Sequence, residues 1–353
     1  MAIEIVARIG AIVVGTFCVA AILLSIVRTL VIPRPERVRS TMAVLDFGRV
    51  ASKRLAQGQS SPERRNRILG AFAPMALISL PGLWSIGVVF AFSFVFWGII
   101  GGTFGAALEL SGSSLTTLGF VQAPSLLTRI IAIAEALIGL GLVALVISFL
   151  PTFYSAFSSR QIVVGQLAVR AGDPATPSDF ITRLHRLGCL EGVGDRWAVW
   201  EEWFVELGET HTSFPGLIYF RSARSDRSWL SAAETALDSA AIITATRLLP
   251  STGQAETMIR SGYLALHMIA SFYGVEGTDE PIEREHVSVA RSEFEGLLDR
   301  VEAAGLSINV ERDQAWHDFV GWRINYDHSL GGLRNLVYDV PTHWSIDGTK
   351  MSG

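Results

Sequence analysis

Apolar positions in this chain follow two regimes. Up to about residue 157 they form long, nearly unbroken runs, and beyond about residue 172 they recur every three or four positions among polar residues. A helix crossing a hydrocarbon core of about 30 Å needs about 20 apolar residues at 1.5 Å each. Three runs reach that length: Ile9 to Ile32, Ile68 to Gly102, and Leu126 to about Phe157. Pro74 and Pro81 divide the second, which predicts a short interfacial helix before Pro81 and a span from about Leu83 to Gly101. The third carries Glu135, Gly139, Gly141 and Pro151, and its last turns are expected to leave the bilayer.

The second regime is helical and amphipathic. Apolar residues repeat at helical spacing in Trp197, Trp200, Phe204 and Leu207, in Trp229, Ala233, Leu237 and Ala241, in Ile259, Tyr263 and Leu266, in Phe294, Leu297 and Val301, and in Trp316, Phe319 and Val320. No strand-length alternation competes. Ala171 to Ser178 reads as a linker in which Ser178 caps the next helix. The fold class is therefore all-α, with an N-terminal transmembrane helix over 1–32, a linker over 33–67, a membrane module over 68–160 and a helical domain of six or seven helices over 161–353.

Composition supports the division. Of 353 residues 50% are hydrophobic and 18% charged, with mean hydropathy +0.38, whereas soluble chains carry about 25% charge. Residues 1–160 hold 13 Lys+Arg against 6 Asp+Glu, and residues 161–353 hold 16 against 27. The 33–67 linker alone carries nine basic residues, from Arg34 to Arg67, which places it in the cytoplasm by the positive-inside rule. The amino terminus is then outside and the acidic helical domain cytoplasmic. Within the linker, a helix from Arg37 to Ala56 is expected to lie on the inner lipid surface. The acidic domain gives no basis for nucleic-acid binding. Lys53 and Lys350 are the only lysines, which fits a high-GC prokaryote and hence its inner membrane. Cys18 and Cys189 supply no disulfide framework.

Between the second and third runs, Thr103 to Pro124 is too polar for a span and too apolar for an ordinary loop. A helix of about 13 residues that enters but does not cross is tolerated at membrane depth only when buried in protein or lining water. The residues that follow, Thr116, Thr117, Leu118, Gly119 and Phe120, combine hydroxyls with a glycine. A backbone turning its carbonyls toward an ion needs such residues. Ser114-Leu-Thr-Thr-Leu-Gly-Phe120 resembles the pore helix and filter of two-transmembrane potassium channels and their non-selective relatives in the pore-loop cation channel superfamily, whose signature reads T-x-T-T-V-G-Y-G-D.

The resemblance covers roughly residues 82–157. It implies a span, pore loop, span channel module with Thr117 as the filter threonine, flanked by Thr116 and continued by Leu118, Gly119 and Phe120. It also implies a pore-lining third span with Gly139 or Gly141 as gating hinge, and a homotetramer. The permeant species would be a monovalent cation, K+ or Na+, with no cofactor. Val121 stands at the second filter glycine and Gln122 at the following acid. A β-branched residue resists φ > 0, so selectivity is expected to be relaxed. Glu135 either hydrogen-bonds behind the pore helix or forms a carboxylate ring near the ion path, and Glu109 braces the pore helix. Phe149, Leu150 and Phe157 suit an apolar gate or plain helix packing.

The cytoplasmic half offers weaker chemistry. His211 with Glu209, and His317-Asp318 with Asp327-His328 if one helix carries all four, are incomplete metal-ligand sets, so no metal is expected. Gly192-Val-Gly194 reads as a helix-joining turn, and the tryptophans as core. With no nucleophile and base pair in view, an enzyme is not expected. The rival to a channel is a membrane-anchored adaptor or sensor whose helical domain binds a partner.

Overall fold

The structure, a computed structural model, describes residues 2–30, 48, 50–55, 62–222, 224, 227–251, 253–275 and 287–339. The linker helix expected over 37–56 lies largely outside the described residues, of which 50–55 are helical. Besides that stretch, eleven α-helices and no strand occur among the described residues: α1 Ala2–Leu30, α2 Pro62–Ile100, α3 Phe104–Leu115, α4 Leu126–Ala171, α5 Pro177–Arg186, α6 Gly194–Ser213, α7 Trp229–Thr246, α8 Gln254–Tyr273, α9 Arg291–Ala303, α10 Arg312–Arg323 and α11 Asp327–Val337. Among the described residues, three segments are long and apolar enough to cross a membrane: Ile3–Thr29, Ser79–Ile100 and Leu126–Ala171. The chain separates into two compact units, Met1–Ser155 and Ala156–Gly353.

In the first unit α1 runs antiparallel to α2, and glycine sets their spacing. A Cβ on Gly15 would fall 2.6 Å from the Ala91 carbonyl oxygen, and one on Gly98 would fall 2.6 Å from the Arg8 carbonyl oxygen and 2.5 Å from Ile12 Cγ1. Small residues at such crossings let helices approach closely where lipid removes the hydrophobic drive. Arg8 then closes the end of α2, donating from Nε to Gly98 O at 3.0 Å and from Nη2 to Ile99 O at 2.7 Å. Those carbonyls belong to the last turn, which has no intrahelical donors for them.

The break expected at Pro81 does not occur: α2 is continuous through both prolines. Proline removes one ladder bond, but Leu80 and Trp84, on either side, are buried with Ile26 of α1 and Leu142 of α4, and that packing holds the helix together. The third apolar run also extends further than expected, to Ala171, because burial continues at helical spacing through Val164, Leu167 and Ala168. Outward along α4, Leu126, Ile130, Ile133, Leu137, Leu140, Ile147 and Tyr154 are exposed at alternating spacings of three, four and seven, an apolar face suited to lipid or to another helix.

The second unit is a helical core built on aromatic contacts. Trp197, Trp200, Trp203 and Trp229 are buried, with Phe180 packed 5.3 Å from Trp200 and Phe294 stacked 5.0 Å from Phe319. The helix after the linker is capped by Thr176, two residues earlier than Ser178: its side chain accepts from Asp179 N at 3.1 Å, and Pro177 occupies the first helical position, where its missing N–H costs nothing. Inside the core, Arg323 donates to Asp238, Glu234 and Asp327 at 2.5–2.9 Å, and Arg334 donates to Glu234 at 2.5 Å. Burial opposes the Glu234 charge, but the Arg323 and Arg334 guanidiniums outweigh it and hold that carboxyl below its ordinary range.

Two substitutions test these contacts. Gly98→Leu should overpack the α1–α2 crossing, at a cost of about 1–3 kcal/mol, and lower the melting temperature in detergent. Burial pushes the Asp238 carboxyl up to about 6; the Arg323 charge pulls it down and the Glu234 charge pushes it further up. A folded pKa above the unfolded one adds stability as pH falls through about 6 and loses it as pH rises. Melting curves at pH 7 and pH 5 should therefore show a gain on acidification in the wild type that Asp238→Asn lacks.

Candidate functional site

The segment Thr116–Val121 hangs from the end of α3. That helix starts at Thr103, whose hydroxyl accepts from Ala106 N at 3.3 Å, and its 12 residues span about 18 Å, roughly half a hydrocarbon core. Ala107, Leu110 and Leu115 bury one face against Val88, Phe92 and Phe96 of α2, with Ala123 closing the cluster.

At its end the chain reverses hand. Thr117 has φ +58° and Gly119 φ +68°, with Leu118 between them at negative φ. Alternating hands turn successive amides to one side. Here that side is occupied by Ser113: its carbonyl accepts from Leu118 N at 3.1 Å and Gly119 N at 3.3 Å, and its hydroxyl accepts from Val121 N at 3.2 Å. Thr117 N donates to Ser114 O at 3.0 Å, and the Thr116 hydroxyl donates to Gly112 O at 2.6 Å. The carbonyls of Thr117, Leu118, Gly119 and Phe120 accept no hydrogen bond from the described residues. Leu118 and Phe120 are exposed, whereas Val121 is half-buried against the α2–α3 cluster with φ outside the left-handed region. The alternation thus stops at Gly119.

Behind α3 stands Glu135 of α4. Its side chain is fully buried, with Oε1 2.5 Å from the Ser111 hydroxyl, which also lies 2.9 Å from Val89 O of α2. One serine thereby joins three helices. The other oxygen, Oε2, is buried without a hydrogen-bond partner. One turn further along α4, Gly139 lies directly against Leu115: a Cβ there would fall 2.1 Å from the Leu115 carbonyl oxygen. Gly141 faces open space. Glu109 is exposed, two residues and so about 200° around α3 from buried Ser111.

Phe149 lies 6.1 Å from Phe153 in the first unit, and Leu150 is exposed; Phe157, in the second unit, packs 5.6 Å from Phe220 and beneath the Arg160 guanidinium. Sequence reasoning missed Arg160 altogether. It is buried and donates to Leu217 O at 3.1 Å and Phe220 O at 2.5 Å, with Nη1 3.0 Å from His211 Nε2. His211 Nδ1 lies 2.9 Å from Leu207 O, so both ring nitrogens are engaged and neither offers a metal a lone pair. Burial first, and the Arg160 charge second, hold this histidine well below its ordinary pKa. The condition that one helix carry both His317 and His328 is not met, since that helix ends at Arg323, and Asp327 is committed to Arg323 and Ser288. Glu191–Val193 forms a single 3-10 turn leading into α6 at Gly194, which accounts for that glycine pair.

Glu135→Gln keeps the shape of the α3–α4 contact and supplies an N–H for Ser111, so its melting temperature should stay near wild type. Glu135→Leu deletes that contact, leaving the Ser111 hydroxyl bonded to Val89 O alone, and should cost about 1 kcal/mol, read by thermal unfolding in detergent. The chain matches no known protein family, no curated protein and no solved structure.

Proposed function

We propose that the chain is the subunit of an oligomeric cation channel of relaxed selectivity in a prokaryotic inner membrane, with a filter formed by Thr116, Thr117, Leu118, Gly119, Phe120 and Val121. The observation that carries this reading is the turn after α3: its amides are tied back to Ser113 while four consecutive carbonyls, Thr117 to Phe120, have no donor among the described residues. Backbone carbonyls in an apolar setting need a partner, and a partly dehydrated K+ or Na+ supplies one. The C-terminal pole of α3, which is partly negative, favours a cation at the same place.

One chain offers one such turn, so an ion path requires several copies around an axis. The exposed apolar face of α4 is the surface expected to meet neighbours or lipid, and a tetramer is the simplest ring. The half-buried Val121, whose φ lies outside the left-handed region, supports loss of the outermost ion positions and hence relaxed selectivity. Glu135, buried behind α3, fits a positioning residue rather than a carboxylate ring on the ion path. The basic 33–67 segment orients the helical unit toward the cytoplasm, where it would serve assembly or gating.

The test is the reversal potential of reconstituted protein in paired potassium and sodium gradients. Wild type should pass cation-selective current. Gly119→Val, which forces a β-branched residue into φ +68°, should abolish it while preserving the folded oligomer on size-exclusion chromatography. Silence from folded wild type across voltage, pH and calcium would overturn the channel reading and favour a membrane-anchored adaptor.

A further inference from the structure

One helix of the second unit stands apart in its charges. α6 carries Asp195, Glu201, Glu202, Glu206 and Glu209 against a single arginine, Arg196. None of these carboxylates forms an ion pair or a side-chain hydrogen bond among the described residues. Elsewhere in the unit carboxylates meet arginines, as Glu234 and Asp238 do in the core and Asp173 and Glu302 do nearer the surface.

Exposed apolar side chains accompany the acidic row. From α5 onward, the large apolar residues exposed among the described residues are Leu187, Val199, Val205, Leu264 and Met268, and all but the first belong to α6 and α8. These two helices run parallel: a Cβ on Gly194 would meet Gln254 at their starts, and one on Gly208 would fall 3.5 Å from the Met268 sulfur and 3.6 Å from Ala265. Buried Gly208 and Ala265 thus floor a groove between them. Val205, one turn before Gly208, stands on one rim, and Leu264 and Met268, one turn apart, on the other. Glu201, Val205 and Glu209 follow at i, i+4 and i+8, so the α6 rim alternates carboxylate, apolar, carboxylate. Arg260, one turn before Leu264, forms no ion pair with that row.

An apolar groove edged by unpaired carboxylates suits a basic segment that carries apolar residues, and a methionine on the rim adapts to what it meets. The chain contains such a segment. Between Arg34 and Arg54 six basic residues stand against two acidic ones, with Met42, Leu45, Phe47 and Val50 among them. We propose that the α6–α8 groove binds this basic segment, its cations opposite Glu201 and Glu209 and its apolar residues against Val205, Leu264 and Met268. The proposal rests on the reading that places the linker and the helical unit on the same, cytoplasmic side, and not on ion conduction.

Disulfide mapping in membrane vesicles tests it. Leu45→Cys and Met268→Cys are combined in a Cys18→Ser chain that keeps Cys189, an exposed thiol outside the groove, as internal reference. On mild oxidation position 45 should link to position 268 in preference to Cys189, within one chain or between copies. Glu201→Lys with Glu209→Lys, which breaks no ion pair or side-chain hydrogen bond among the described residues, should lower that yield at least about tenfold while leaving the melting temperature near its starting value. Salt at about 1 M should lower it too, because screening then acts within about 3 Å. Absence of the link, as for a segment lying on lipid, an equal link to Cys189, or a yield untouched by the double charge reversal would each overturn the proposal. A membrane-impermeant maleimide separates the two ways of failing: labelling of positions 45 and 268 from opposite sides overturns the shared topology and the docking with it, whereas same-side labelling without the preferred link overturns the docking alone.

Discussion

Ser113 sits at the last turn of α3 with both its oxygens committed. The carbonyl takes two amides and the hydroxyl a third, so the chain from Thr116 to Val121 neither continues as a helix nor relaxes into an ordinary loop. Amides turned away from solvent need protein acceptors, and here one residue gathers three of them. The free carbonyls of Thr117 to Phe120, the left-handed Thr117 and the outward Leu118 and Phe120 all follow from that anchoring. The supports behind it are equally economical: Ser111 joins Glu135 to Val89, and Gly139 lets the Leu115 carbonyl rest on α4.

The two units solve the burial of polar groups differently. In the first, hydroxyls and glycines bring backbones together with almost no charge, and Arg8 spends its guanidinium on carbonyls at a helix end. In the second, Arg323 and Arg334 enclose Glu234, Asp238 and Asp327 in a core otherwise made of aromatic and aliphatic side chains. Replacing such a cluster by apolar residues is often neutral for stability, but deleting one member leaves a buried charge unpaired. The cluster therefore binds α7, α10 and α11 into one arrangement, because no single helix can shift without stranding a partner.

Much of the architecture was legible because burial in a membrane writes itself as length. The three apolar runs, the short helix between the second and third, and the helical periodicity from Trp197 to Val320 needed only counting. The boundaries needed tertiary information. Pro81 reads as a break in one dimension, yet Leu80 and Trp84 carry α2 across it by packing on Ile26 and Leu142. The end of α4 lay beyond Phe157 because Arg160, a charge that reads as an exit from the apolar run, finds carbonyl and imidazole partners in the second unit. Within the candidate site, Thr117 and Gly119 stood out by residue type. Ser113 did not, since a serine run such as Ser111-Gly-Ser-Ser114 gives no hint which hydroxyl faces inward and which one accepts an amide eight residues ahead.

The meeting of Gly139 with Leu115 has a mechanical meaning. Most helix contacts are cushioned by side chains that change rotamer, so one helix can roll or slide a little against another without a large penalty. Between these two backbones there is nothing to reorient. A rotation of α4 about its own axis at that level would carry an atom into the carbonyl at the end of α3, or else push that carbonyl and the turn beyond it out of place. Motions of the long helix are thus transmitted to Thr116–Phe120 as displacement instead of being absorbed, and the stiffness comes from the absence of a side chain.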